Sequence, residues 1–142
     1  MKNNELASSL RDTASRMHKR LSREVKSADG FSLSERATLS YLYYNGPQFP
    51  SDLAAMAMIK AQSMSQIVNH LEELNIIAKT PSEIDKRKVS ISLTDFGKQI
   101  VEQSRYERDQ WLDTAIEDSL SSAEKKTLQE ALLLMNKLIN HK

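Results

Sequence analysis

Apolar side chains recur every three to four residues along most of the chain, which is the spacing of amphipathic helices. The pattern predicts a first helix over about residues 5–27, ended by Asp29–Gly30. Ser32 and Glu35 have the spacing of a capping box and predict the start of a second helix, which ends near Gly46. The residues of the second helix expected to face a core are Leu33, Ala37, Leu39 and Leu42.

A short helix and a longer one are predicted next. Pro50–Ser51–Asp52 opens the short helix, and Met56, Met58 and Ile59 are interpreted as core residues. The longer helix is predicted from Gln62 to Leu74. One of its faces is apolar and consists of Met64, Ile67, Val68 and Leu71. The opposite face is polar and uncharged, unlike most solvated helix faces, and carries Gln62, Ser65, Gln66 and Asn69.

The spacing then changes from helical to alternating. Val89, Ile91 and Leu93 alternate with serines, which predicts a half-buried strand that can pair with the apolar run Ile76–Ile77. The loop between the two strands contains the charged run 85–88. Two helices followed by such a hairpin form a helix-turn-helix with a wing, a device that places one helix in the DNA major groove.

The C-terminal part is again helical. Thr94 is a plausible N-cap for a helix from Asp95 to about Asp118, and Ser121 with Glu124 predicts a further capped helix. That last helix has a strongly apolar face, made of Leu128, Ala131, Leu132, Met135, Leu138 and Ile139. No other segment is apolar enough to cover the terminal helices, so we expect them to pair with a second copy of the chain.

The fold class expected is therefore mainly α with a small β-hairpin, in one domain over residues 1–142. Its DNA-binding region is predicted at 31–94, and its dimerisation helices at 1–30 and 95–142. No apolar run reaches the roughly 20 residues of a membrane span, and residues 1–10 lack the apolar core of a signal peptide. We therefore expect a cytoplasmic protein.

Several kinds of chemistry are not expected. Cysteine is absent from the sequence, which excludes disulfides and thiolate zinc sites. The histidines, His18, His70 and His141, have no metal-ligand spacing, and the three glycines are isolated, so no phosphate-binding loop is present. We expect no cofactor, no metal and no enzymatic activity.

The net charge of +1 hides an uneven distribution. Residues 1–28 hold seven cations against three anions, whereas residues 46–98 hold six of each. A near-neutral winged region predicts DNA binding that depends on geometry, with weak non-specific affinity that salt reduces quickly. It also leaves open a winged helix that binds another protein and not DNA.

The candidate DNA contacts fall into three groups. Amide and hydroxyl side chains of the longer helix can bond to base edges, and these candidates are Gln62, Ser63, Ser65, Gln66 and Asn69. The phosphate candidates are Ser51, Lys60 and His70. The wing candidates are Lys86, Arg87 and Lys88, with Asp85 expected to orient the Arg87 side chain. An ordinary solvated surface is the alternative for the first and third groups.

Five segments together resemble the winged-helix signature of the MarR family of transcription regulators: Leu53–Ala54, Leu71–Glu72, Ile76–Ile77, Asp85–Lys86–Arg87 and Leu93–Thr94–Asp95–Phe96–Gly97. Three positions depart from that pattern. Asn75 replaces a common glycine and should still allow the left-handed turn after a helix. Lys79 replaces a common arginine, and Lys60 replaces a small capping residue.

The resemblance implies a homodimer that binds double-stranded DNA at a pseudo-palindromic operator, as a repressor or else as an activator. It also implies release by a small aromatic or anionic effector. The candidate effector-binding residues are Arg16, Arg20, Tyr41 and Trp111. For Tyr41, Tyr43 and Tyr44, the alternative to lining a small-molecule pocket is core packing for one and surface exposure for another.

Overall fold

The computed structural model describes residues 1–27 and 30–142. In chain order the elements are α1 (Asn3–Arg23), α2 (Leu33–Asn45), α3 (Pro50–Ala57), α4 (Ala61–Glu73), β1 (Ile77–Pro81), β2 (Val89–Leu93), α5 (Asp95–Ser119) and α6 (Ser122–Ile139). The predicted fold class is confirmed. The chain forms two compact units, and α5 contributes to both. One, called the winged unit below, is Val25–Tyr106; the other, called the terminal unit, combines Met1–Glu24 with Glu107–Lys142.

The first helix is shorter than predicted. It ends at Arg23, where the N–H of Glu24 donates to the carbonyl of Leu21 at 3.1 Å. The next residue, Val25, leaves the helical path and is buried, with 4% of its surface exposed. Asp29, which was predicted to help end this helix, lies outside the described residues.

The winged unit has a core built from all its elements. The apolar face predicted for α4 is confirmed, because Met64, Val68 and Leu71 are fully buried and Ile67 packs against them. The other buried apolar residues of this core are Leu39, Leu42, Leu53, Ala54, Ile76, Ile77, Ile91 and Val101. Burying this many large side chains is the main driving force for the fold of the unit.

Three residues expected in the core are exposed. Leu33 has 79% of its surface exposed and Ala37 is also exposed, because α2 turns Thr38, Leu39 and Leu42 inward instead. The buried Thr38 hydroxyl donates to the carbonyl of Ser34 at 2.8 Å, so its burial leaves no unpaired group. Met58 is 91% exposed, since it takes the left-handed conformation (φ 52°) that ends α3 and directs its side chain outward.

The turn after α4 forms as expected with asparagine in place of glycine. Asn75 has φ 58°, its N–H donates to Glu72, and the N–H of Ile76 donates to Leu71 at 3.0 Å. These are the two hydrogen bonds of a Schellman motif. Thr94 begins α5, as predicted, with its hydroxyl accepting from the N–H of Gly97 at 3.0 Å.

The two wing strands are antiparallel, with Ile77 opposite Leu93 and Thr80 opposite Ser90. The structure contains a further backbone pairing that the sequence did not reveal. Gln48, which precedes α3, exchanges both backbone hydrogen bonds with Ile91, at 2.9 and 2.8 Å. This bridge holds the start of α3 against the base of the wing.

The terminal unit contains α1, the end of α5 and α6. The capping box at the start of α6 is confirmed, since the Ser121 and Glu124 side chains each accept from the other's N–H. Every residue of α1 and α6 keeps at least partial exposure, and Leu132 and Leu138 expose 50% and 61% of their surfaces. Among the described residues, no helix combines the length and apolarity that crossing a membrane requires.

Candidate nucleic-acid interface

The outer face of α4 is exposed to solvent. Because successive residues turn by about 100°, burial of Met64, Val68 and Leu71 directs the intervening side chains outward. All the candidates on this helix are exposed: Gln62, Ser63, Ser65, Gln66, Asn69 and His70. Amide and hydroxyl side chains of this type can discriminate base edges.

Two of the phosphate candidates lie at helix starts. Lys60 is the exposed N-cap of α4 and has extended backbone angles (φ −69°, ψ 150°). Its side chain therefore adds a positive charge beside the unpaired N–H groups of the first turn, a place where anions bind favourably. Ser51 is exposed in the first turn of α3, after Pro50 at the first helical position.

The wing has the internal contact that the sequence predicted. Asp85 Oδ1 accepts from the backbone N–H of Arg87 at 3.1 Å and from its Nε at 3.3 Å. The Arg87 side chain is 92% exposed, whereas that of Asp85 is 34% exposed. The carboxylate thus anchors the base of the guanidinium group and leaves its other N–H donors available.

A buried serine shapes this loop, and the sequence did not single it out. Ser82 is 7% exposed; its hydroxyl accepts from the N–H of Ile84 at 3.2 Å, and its own N–H donates to the carbonyl of Lys88 at 2.8 Å. Together these bonds close the loop on which Arg87 stands. All three cations of the wing are exposed, and Lys88 also lies near an aromatic ring, with its Nζ 5.3 Å from the ring centre of Phe49.

Asn69 is engaged by a residue absent from the predicted site. Lys79 of β1 donates from Nζ to Asn69 Oδ1 at 2.6 Å and lies 3.4 Å from a carboxylate oxygen of Glu72. Asn69 and Glu72 are three residues apart and share one face of α4. The family resemblance marked position 79 only as a usual arginine, so it gave no signal for this contact.

His70 is engaged as well. Its Nδ1 lies 3.3 Å from Glu35 Oε1, and the other carboxylate oxygen, Oε2, is buried without a hydrogen-bond partner among the described residues. The capping box predicted at the start of α2 is therefore only half formed: the Ser32 hydroxyl accepts from the N–H of Glu35 at 3.1 Å, but the Glu35 carboxylate turns to His70. Glu35 thus becomes a neighbour of the candidate site that sequence reasoning missed.

Three of the four effector candidates lie together in the terminal unit. Arg16, Arg20 and Trp111 line a hollow of about 510 Å³, and the Arg20 guanidinium lies 4.4 Å from the Trp111 ring centre. The remaining lining residues are Thr13, Met17, Lys19 and Arg23. Tyr41 belongs to the winged unit and packs against its core, which is the alternative the sequence left open.

Comparison with known proteins gives consistent results. Residues 29–88 match the model of the MarR family. An uncharacterised HTH-type transcriptional regulator of Mycobacterium bovis is 28% identical over 124 residues, which cover 85% of this chain and 86% of the relative. A crystal structure described as a transcriptional regulator of Pseudomonas aeruginosa superposes with a TM-score of 0.86 at 25% identity, covering 99% of this chain and 96% of the other.

One structural neighbour was solved with nucleic acid. It is a MepR variant of Staphylococcus aureus bound to an oligodeoxyribonucleotide, with a TM-score of 0.68, 21% identity, and coverage of 95% of this chain and 98% of the other. At that identity the likeness shows a shared fold. The family match, the relatives and the full-length fold agree with the signature seen in the sequence: residues 29–88 match the MarR family, and the whole chain has the fold of a solved transcriptional regulator.

Proposed function

We propose that the protein is a dimeric regulator that binds a pseudo-palindromic DNA operator and represses transcription by blocking polymerase. One observation carries this proposal. The uncharged polar face of α4 is exposed in the same compact unit as a wing whose Asp85 anchors an exposed Arg87. The DNA-bound neighbour supports the proposal, because it uses the same fold.

Each part of this surface suits a different part of DNA. Amide groups such as those of Gln62 and Gln66 can bond to two atoms of one base, and Ser63 and Ser65 can bond to several bases. Lys60 and Ser51, at helix starts, suit phosphate oxygens. Arg87 and Lys86 suit the backbone or a narrow minor groove beside the wing.

The charge balance of the winged region explains how such binding would be selective. With six cations against six anions over residues 46–98, long-range attraction to DNA is weak. Binding then depends on contacts that only the correct sequence and shape provide. We expect affinity for arbitrary DNA to fall steeply with added salt.

Dimerisation is proposed from the terminal unit. The apolar face of α6 leaves Leu128, Leu132 and Leu138 exposed at 37–61%. Removing such side chains from water is favourable, and a second copy related by a two-fold axis can cover the same face on both chains. A dimer would present two α4 helices about 34 Å apart, one turn of DNA.

We also propose that a small effector bound in the terminal unit controls DNA binding. The hollow around Trp111 combines an indole ring with several basic side chains, among them Arg16 and Arg20. Such a site suits a small aromatic anion through stacking and charge. A ligand that favours a dimer with wrongly spaced α4 helices would release the operator by a population shift.

Selection of random duplex DNA by the purified protein, at about 100 mM salt, tests the proposal. The expected result is enrichment of an inverted repeat with half-sites about 10 bp apart. A folded, dimeric protein that enriches no sequence would contradict DNA recognition and would favour a winged helix that binds another protein.

A further inference from the structure

The orientation of the Asn69 amide is fixed by its contact with Lys79. A lysine ammonium can only donate hydrogen bonds, so the Asn69 atom 2.6 Å from Lys79 Nζ must be the carbonyl oxygen. The amide nitrogen is consequently the end that remains free to donate. Lys79 is itself held by Glu72, at 3.4 Å, and its side chain is only 33% exposed.

We infer that Lys79 is a positioning residue that makes Asn69 select a keto base, guanine or thymine, over adenine or cytosine. The inference rests on the proposed DNA-binding function and narrows it at one position. Asparagine commonly reads adenine by donating to N7 while accepting from the N6 amino group. Here the Asn69 carbonyl oxygen already accepts a hydrogen bond from the positively charged Lys79 ammonium.

Electrostatics sets the direction of the preference. The exocyclic amino groups of adenine and cytosine are donors, and they would approach the Asn69 oxygen next to the Lys79 ammonium. Two donors competing for one oxygen repel each other. The keto oxygens of guanine and thymine are acceptors, so they bond to the free amide N–H groups and are attracted by the same ammonium.

The surroundings support a fixed arrangement. Asn69 and Glu72 lie one turn apart on α4, and Lys79 stands opposite Ile91, which is fully buried, in the β1–β2 pair. The base of the Lys79 side chain is therefore held by a packed sheet. A lysine on a free loop would have no such constraint, and the amide could then rotate to suit adenine.

The experiment starts from the duplex that the wild-type protein selects. Asn69→Ala identifies the base pair concerned, because its preference alone should become flat. Affinities are then measured for four duplexes that carry each base at that position. We expect the wild-type protein to prefer guanine or thymine over adenine by about fivefold, the discrimination of one modest base contact.

Lys79→Met is the decisive variant, since it keeps the aliphatic stem and removes the charge. Its preference should disappear or turn toward adenine. Lys98→Met, which removes an exposed cation from α5 of the same unit, should keep the wild-type preference. Asn69→Asp provides a second route that leaves Lys79 unchanged: the carboxylate cannot donate, so the preference for guanine or thymine should be lost.

Three results would overturn the inference. They are a wild-type preference for adenine, a uniform loss of affinity for all four duplexes in Lys79→Met, and an Asn69→Ala variant that keeps the wild-type preference at every position. The second would assign Lys79 a purely structural or phosphate role. Failure of the wild-type protein to select any duplex would instead overturn the proposed function, so the two failures are distinguishable.

Discussion

Gly97 of α5 packs directly against the backbone carbonyl of Ile76. A Cβ at position 97 would overlap the carbonyl oxygen of Ile76 and would lie 3.1 Å from its carbonyl carbon. The same carbonyl accepts from the N–H of Thr94 at 3.0 Å. The turn after α4 and the start of α5 therefore form one joint, which fixes the position of α4 relative to the wing.

The first prediction concerns this joint. Gly97→Ala should lower the free energy of unfolding by about 3 kcal/mol, at the upper end of ordinary overpacking effects, because backbone atoms cannot move aside as a side chain does. Urea titration followed by circular dichroism measures it. Gln99→Ala, at an exposed position two residues further along α5, should change stability by less than about 0.5 kcal/mol. Equal stability of Gly97→Ala and wild type would show that the joint is not close-packed.

The second prediction concerns the wing. Arg87→Ala should weaken operator binding by about 1–3 kcal/mol, since the anchored guanidinium offers a good contact to DNA. Fluorescence anisotropy at constant salt measures this change. Lys98→Ala removes the same charge from an exposed position on α5 of the same unit and should have a much smaller effect. If both variants bind alike, Arg87 is not part of the interface.

The third prediction separates base reading from general attraction. Gln66→Ala should flatten the sequence preference at one or two base pairs, because its amide is proposed to bond to base edges. Selection from a random duplex pool, followed by sequencing, gives the preference at each position. A variant that binds more weakly but keeps the wild-type preference would assign Gln66 to the phosphate backbone.

The fourth prediction concerns assembly. Leu132→Glu should raise the dissociation constant of the dimer at least tenfold, because burying a leucine contributes about 1.5–3 kcal/mol. Sedimentation equilibrium measures that constant. Lys126→Gln changes the net charge by the same amount on the same helix, and its dimer should remain intact. A wild-type protein that is monomeric at micromolar concentration would contradict the dimer.

The fifth prediction is a pH dependence in the terminal unit. A hydrogen bond and ion pair from Lys125 hold the pKa of Glu117 below its ordinary value. The ionised form is favoured on folding, so this contact stabilises the protein above the unfolded pKa and is lost as pH falls through the folded one. Carboxyl NMR titration of Lys125→Gln should show the Glu117 pKa rising toward normal. The Glu124 pKa, lowered by hydrogen bonds from Ser121, should stay unchanged.

The spacing of apolar residues in the sequence predicted the features of the fold that depend on burial. The inward face of α4 and the pairing of the wing strands follow from apolar spacing, and the core of the winged unit contains those residues. The Asp85–Arg87 contact could also be predicted from the sequence, because its partners are two residues apart. Such local contacts depend little on the rest of the fold.

Contacts between polar residues that are distant in sequence could not be predicted from the sequence. Lys79 and Asn69 meet across ten residues, and Glu35 and His70 across thirty-five, with no repeat in the sequence to signal either pair. Met58 was misplaced because hydrophobicity indicated the core, whereas its left-handed backbone conformation places the side chain in solvent. Tertiary geometry determines the two polar contacts, whereas the local backbone conformation at the end of α3 determines the exposure of Met58.

The most direct test of the proposed function is the ratio of affinities for the selected duplex and for a scrambled duplex of equal length, measured at one salt concentration. The wild-type protein should bind the selected duplex at least about a thousandfold more tightly than the scrambled duplex. The double variant Gln66→Ala/Arg87→Ala should lose most of that ratio while remaining folded. A wild-type ratio near one would contradict sequence-specific recognition by the α4 face and the wing.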